Sequence, residues 1–249
     1  VPKWVKFLLS GLLALLLLGS GGFILWASNP LPPMPEALAA LQADEQVEVR
    51  VEGSRLSFVP RASTPDTGFI FYPGGRVDAR AYAPLAHDLA AQGYLVIIVK
   101  MPLNLAVFNP NAAEAVLAAY PQIRHWVIGG HSLGGAMAAG FAGQNPSQVD
   151  GLILLASYPA SNTDLSKTDL AVLSVYATQD RLATVETIRA SQALLPPTTQ
   201  WVAIEGGNHA QFGWYGEQPG DGLATLSRSE QHQQTLSAIV NFLESVQLR

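Results

Sequence analysis

The sequence predicts an α/β fold: a mostly parallel, doubly wound sheet, edged by an antiparallel hairpin and preceded by one apolar helix. Three observations carry this expectation. Short apolar runs alternate with helical patterns from residue 68 onward, and such alternation means parallel strands joined by helices. Most of the runs are apolar at consecutive positions, as in strands covered on both faces. Ahead of them, "VEVRVEGSRLSFVP" (47–60) alternates apolar and polar residues around Gly53, the pattern of a hairpin at a sheet edge.

Taken in order, the first element is "FLLSGLLALLLLGSGGFILWA" (7–27), 21 residues without a charge. About 20 helical residues cross a bilayer core. Lys3 and Lys6 precede this stretch and no Lys or Arg follows before Arg50. The positive-inside rule therefore puts the rest of the chain on the extracytoplasmic side. Trp4 and Trp26 mark the two ends. A cleaved signal peptide is the competing reading, with Leu8 to Leu18 as its apolar region and "GSGG" as its cleavage region. The apolar run resumes at "FILW", which favours an uncleaved anchor over residues 1–27, and both readings export the domain. "SNPLPPMP" (28–35) holds four prolines in eight residues, so 28–46 reads as an extended tether. The catalytic-sized domain is then 47–249.

Six strand candidates follow the hairpin: "GFIFY" (68–72), "YLVIIVK" (94–100), "HWVIGG" (125–130), "GLILLAS" (151–157), "AVLSVYAT" (171–178) and "QWVAIEG" (200–206). Between the first two, Tyr82, Leu85 and Leu89 recur at helical spacing, with Asp78 as N-cap and Gly93 as stop. The closing helix over 227–247 aligns Leu236, Ile239, Val240, Leu243 and Val246. In doubly wound sheets, ligands bind beyond the carboxyl ends of the strands. The loops there are where chemistry is expected.

Composition limits that chemistry. Apolar residues make up 49% and charged residues 13% of 249, which excludes disorder, and a net charge of −5 without long runs leaves no footprint for nucleic acid. The chain has no cysteine, so disulfides and thiolate chemistry are absent. No two histidines fall at ligand spacing, so no metal is expected.

"GGHSLGG" (129–135) stands between a candidate strand and a candidate helix and contains G-x-S-x-G. That context makes it a nucleophile elbow, with Ser132 exposed on a sharp turn at a helix N-terminus. A bland turn with a capping serine is the alternative. A serine needs a base and an orienting acid to react. Of five histidines, His87, His125 and His232 sit in helices or at a strand start, and His131 points away from its neighbour at an elbow. His209 lies in a glycine-rich loop after the last strand. Asp180, in "VYATQDRLAT" after the penultimate strand, is the candidate acid, with a turn or N-cap role as its alternative. Ser132, Asp180 and His209 run in the order of an α/β-hydrolase triad.

With "FYPGGRVDARAYAPLAHDLAAQGYLVIIVKMP", "GGHSLGG", "ATQDRLAT" and "GGNHAQFG", the chain resembles the α/β hydrolases, most of all the small bacterial fold-5 branch. The resemblance spans 71–213 and should extend over about 47–246. It implies a Ser–Asp–His triad and a serine-acyl mechanism without cofactor. It also implies an oxyanion hole made by the Leu133 amide and one from "YPGGRV", either Gly75 or Arg76. Tyr72-Pro73 stands where many relatives carry a histidine.

Only 48 positions separate Ser132 from Asp180, leaving no room for a helical cap. Short loops must wall the site, and Leu105, Phe108, Trp214 and Tyr215 suggest a pocket for an apolar acyl group. The function expected is hydrolysis of small-molecule carboxylic esters by a membrane-anchored enzyme. Acyl transfer, dienelactone-type or peptidase-type activity on the same triad, or a non-catalytic binding domain, are the alternatives.

Overall fold

The computed structural model describes residues 3–248. Its sheet has eight strands: β1 (Val47–Glu52), β2 (Arg55–Pro60), β3 (Thr67–Tyr72), β4 (Leu95–Val99), β5 (His125–His131), β6 (Gly151–Leu155), β7 (Ala171–Ala177) and β8 (Gln200–Ile204). They lie in the order β1-β2-β4-β3-β5-β6-β7-β8. The β1–β2 hairpin pairs antiparallel within itself and onto β4, and every other pairing is parallel. The segment between β6 and β7 is loop, with no helical cap in it.

Strand alternation divides the core into two layers. Phe69 and Phe71 of β3 face one side, with Leu85 and Leu89 of α3 (Ala83–Ala91) and Ile239 and Leu243 of α7 (Arg228–Gln247). Ile70 and Tyr72 face the other, with Val116 of α4 (Ala113–Ala119) and Phe141 of α5 (Leu133–Gln144). Both faces of the central strands are covered, which is why their sequences are apolar without a break. A short α6 (Val185–Ala190) adds Ile188 to the first layer. Asp78 caps the turn that leads into α3, accepting the Arg80 amide at 2.9 Å.

The N-terminal helix α1 (Lys3–Ala27) is long and apolar enough to cross a membrane or to serve as a signal sequence. Only its last residue, Ala27, is buried. The segment that follows, expected as an extended tether, is held against the domain. Leu31 forms a parallel bridge with Val77. Its amide donates to the Arg76 carbonyl at 2.7 Å, and its own carbonyl accepts from the Asp78 amide at 3.1 Å. The Met34 amide donates to the Trp214 carbonyl at 2.7 Å, and α2 (Pro35–Ala39) buries Ala37 completely. The segment itself permits this pairing. Prolines hold the chain extended, while Leu31 and Met34 between them keep the amides that a bridge needs.

Helix α7 closes the domain and begins with a capping box: Ser227 Oγ accepts the Glu230 amide and the Glu230 carboxylate accepts the Ser227 amide. Replacing the cap, Ser227→Ala, should cost about 1 kcal/mol. Calorimetry should then read a Tm lower by about 2–4 °C; an unchanged Tm would show that the box does not hold this helix.

Candidate active site

Ser132 joins β5 to α5 with φ 53° and ψ −124°, a backbone conformation that costs a non-glycine residue about 1–3 kcal/mol. Its surroundings enforce it. The Ser132 amide donates to the Leu155 carbonyl at 3.0 Å, and its carbonyl accepts the Ser157 hydroxyl at 2.6 Å. The glycines around it are required by close approach. A Cβ on Gly130 or on Gly134 would overlap the Tyr72 carbonyl at the end of β3, and one on Gly135 would overlap the Ser157 hydroxyl. The serine therefore sits at the first turn of α5, where amides have no partner within the helix.

Asp180 and His209 are brought together. His209 Nδ1 lies 2.7 Å from Asp180 Oδ2, and both side chains are almost wholly buried. The other carboxylate oxygen, Oδ1, accepts the amides of Leu182 at 2.7 Å and Ala183 at 2.8 Å. Those two donors fix which oxygen faces the imidazole. The His209 ring stands beside the ring of His131, centroids 4.4 Å apart, next in sequence to Ser132. Among the described residues, no hydrogen bond joins Ser132 Oγ to His209.

His131 is wholly buried in the core. The Tyr82 hydroxyl accepts the Gly74 amide at 3.0 Å and is hydrogen-bonded to His131 Nδ1 at 2.8 Å. Burial, and then the neighbouring His209, hold the His131 imidazole well below its ordinary pKa, and burial pushes the Tyr82 phenol up. Both groups are neutral links in a relay from the loop after β3 to the elbow.

Residues that sequence patterns did not single out hold the His209 loop. Gln231 of α7, fully buried, accepts the Asn208 amide at 3.0 Å and donates to the Asn208 carbonyl at 2.8 Å. Arg228 donates to the carbonyls of Ala210, Gly213 and Gly216, its pKa lowered first of all by burial. Asp221 accepts the Ala210 amide at 2.9 Å. A signal did exist for Gln231: with Thr235 it continues the four-residue spacing of Ile239 and Leu243, placing polar side chains on the buried stripe.

The candidate oxyanion donors separate. The Arg76 amide donates to the Asn104 carbonyl at 2.8 Å and is thereby taken. The half-exposed Gly75 amide has no hydrogen-bond partner among the described residues, and Gly75 approaches the Leu133 side chain. The expected pocket residues lie elsewhere. Leu105 is buried beside Gly75. Phe108 packs on Phe23 of α1, centroids 6.1 Å apart. Trp214 turns to His232 on α7, and Tyr215 is buried behind His131 and Tyr82. The cavity at Ser132, about 260 Å³, is instead lined by Leu133, Ala136, Ala156, Ser157, Tyr158 and Leu182, with Ala183. Loops after β6 and β7 supply most of it, because α5 and β3 approach too closely to leave space on their side. Among the described residues, no group of three or more His, Cys, Asp or Glu side chains could hold a metal ion.

A sequence model of the alpha/beta hydrolase family matches residues 68–233, two thirds of the chain. The chain belongs to the alpha/beta hydrolase family. Solved structures agree on the fold. A predicted CIB-like hydrolase from Thermoplasma acidophilum is 16% identical, with a TM-score of 0.59 over 79% of this chain and 98% of its own. The esterase domain of a Rhodothermus marinus protein is 15% identical, with a TM-score of 0.54 over 66% and 90%. An alpha/beta hydrolase from the metagenome of lagoon sediments at Mar Chica, Morocco, is 16% identical, with a TM-score of 0.53 over 66% and 90%. Curated protein sequences give no match.

Within this hydrolase, Tyr82 links two loops through one hydroxyl. Tyr82→Phe leaves the buried Gly74 amide and His131 Nδ1 without partners, at about 1–3 kcal/mol each. The Tm should fall by about 4 °C or more, and a Tyr82→Phe protein as stable as wild type would remove the relay from the account.

Proposed function

We propose that this chain is a serine hydrolase of carboxylic esters, acting through an acyl-enzyme on Ser132, Asp180 and His209. The observation that carries the reading is the orientation of Asp180. Two amides take Oδ1, so Oδ2 is left for His209 Nδ1. That bond commits the imidazole to the tautomer whose Nε2 can accept a proton. The elbow supports the same reading, since its strained serine lies at a helix N-terminus where developing negative charge is favoured.

The reaction follows from these positions. Ser132 Oγ attacks the ester carbonyl while His209 Nε2 takes the hydroxyl proton, and the carbonyl electrons move onto oxygen. The amides of Leu133 and Gly75 receive that oxyanion; the Arg76 amide is engaged with the Asn104 carbonyl, which favours Gly75 as the second donor. The C–O bond to the alcohol then breaks, and His209 gives the proton to the leaving oxygen. Water repeats the sequence on the acyl-enzyme, releasing the acid and restoring Ser132. Asp180 stays ionised and stabilises the imidazolium. Helix α1 anchors the enzyme, with Lys3 and Lys6 on the cytoplasmic side and the catalytic domain outside.

A fluorophosphonate probe should label the wild-type chain once, on Ser132, and Ser132→Ala should take no label; labelling that persists would end the assignment. In Asp180→Asn, the Leu182 and Ala183 amides should keep the amide oxygen. The NH2 group then faces His209 and imposes the wrong tautomer. The fold should survive while kcat falls by about 10⁴. Activity within a few-fold of wild type would move the acid elsewhere.

A further inference from the structure

The end of α1 is built into the loops that carry the reaction centre. Arg76 Nε donates to the Trp26 carbonyl at 2.9 Å and Nη2 to the Asn29 carbonyl at 2.8 Å. The same guanidinium lies over the Trp26 ring, 4.2 Å from its centroid. Asn104 Nδ2 donates to the Ala27 carbonyl at 2.9 Å. These contacts satisfy carbonyls that a helix end leaves open and put a cation at its negative pole.

The joint is also where strain collects. Among the described residues, five non-glycine residues have positive φ, and three of them meet here: Arg76 at 57°, Leu103 at 51° and Asn104 at 55°. A flexible leash between an anchor and a domain would need none of this. Arg76 follows Gly75, so the membrane helix and the proposed oxyanion donor share one turn of chain. The helix axis is thereby fixed relative to the carboxyl end of the sheet.

Depth follows from length. The charge-free stretch from 7 to 27 measures about 31 Å as a helix, against about 30 Å of hydrocarbon. No surplus helix remains to lift the domain away. Phe23 lies one turn before Ala27, and its ring meets that of Phe108. Phe108 and Val107 are nearly half exposed, at 49% and 46%. At that depth they reach the boundary between headgroups and acyl chains, where apolar side chains on a protein surface find their partner. The loop bearing them runs back through Leu105 to Gly75. The Ser132 cavity has no charged residue in its lining, and Leu182 at its edge is 40% exposed.

We propose that the reaction centre rests on the leaflet facing the catalytic domain and that its substrate is a long-chain acyl ester dissolved in that leaflet, entering from the lipid. This rests on the ester-hydrolase and anchor readings above, and it names the substrate class. The chemistry is the same: the ester carbonyl is attacked by Ser132, the lipid alcohol leaves with a proton, and water releases the fatty acid.

The test uses the full chain in phosphatidylcholine vesicles. Because the chain contains no cysteine, Val107→Cys and Arg124→Cys can each carry a single environment-sensitive fluorophore; Arg124 precedes β5, at the opposite end of the sheet. The label at 107 should be quenched by nitroxide lipids and shielded from iodide, and the label at 124 should behave the other way round. A fluorogenic long-chain diacylglycerol in the same bilayer should be cleaved about a hundredfold faster than in separate vesicles, as confinement to one surface raises effective concentration. Cleavage of water-soluble p-nitrophenyl acetate without cleavage of the vesicle ester would overturn the proposal, as would a label at 107 exposed to iodide. Loss of cleavage of both esters, with the label at 107 in lipid, would instead overturn the ester-hydrolase reading.

Discussion

The carboxyl end of the sheet depends on how closely α5 approaches the end of β3. The Tyr72 carbonyl packs where a Cβ on Gly130 or Gly134 would stand, so backbone meets backbone without side chains between. Between β5 and α5, Ser132 takes its strained φ at this approach. The approach also uses up the space on that side. The cavity opens on the other side, toward the loops after β6 and β7. One packing constraint thus bears on where the serine stands and which residues line the cavity beside it.

The loop bearing His209 is held differently, by polar groups withdrawn from water. Arg228 gives its guanidinium to three carbonyls, Gln231 closes two bonds on Asn208, and Asp221 receives the Ala210 amide. Buried polar groups are costly unless each is paired, and a paired network fixes one conformation. The loop is held by these bonds as well as by Ala210, Phe212 and Tyr215, which are buried in the core. Helix α7 therefore does two jobs along one stripe: Ile239 and Leu243 pack on the sheet, and Gln231 and Arg228 grip the loop.

The features legible in the sequence were the local ones. Strand runs are apolar because both faces are covered, the elbow glycines recur around one serine, and Asp180 and His209 follow strands whose ends they must occupy. What escaped was set by partners far away in the chain. The prolines of 28–35 read as an extended tether, and nothing local announces that Leu31 pairs with Val77. Phe108 and Trp214 are as apolar as pocket walls, yet Phe23 and His232 claim them. The Arg76 amide is taken by the Asn104 carbonyl, a partner that no spacing rule could supply.

His131 joins these themes in one electrostatic argument. Its ring lies 4.4 Å from that of His209, the proposed base, which must carry positive charge in mid-reaction. Two positive charges about 4 Å apart repel by about 4 kcal/mol at an effective dielectric constant of 20. A charged His131 would oppose proton transfer from Ser132 by that order. Burial prevents it: the ring is wholly enclosed by Tyr82, Phe212 and Tyr215, and desolvation drives its pKa down. The hydrogen bond between Tyr82 and Nδ1 then engages the ring without adding charge. A histidine beside the proposed nucleophile is compatible with the proposed chemistry because enclosure by Tyr82, Phe212 and Tyr215 disfavours its charged form.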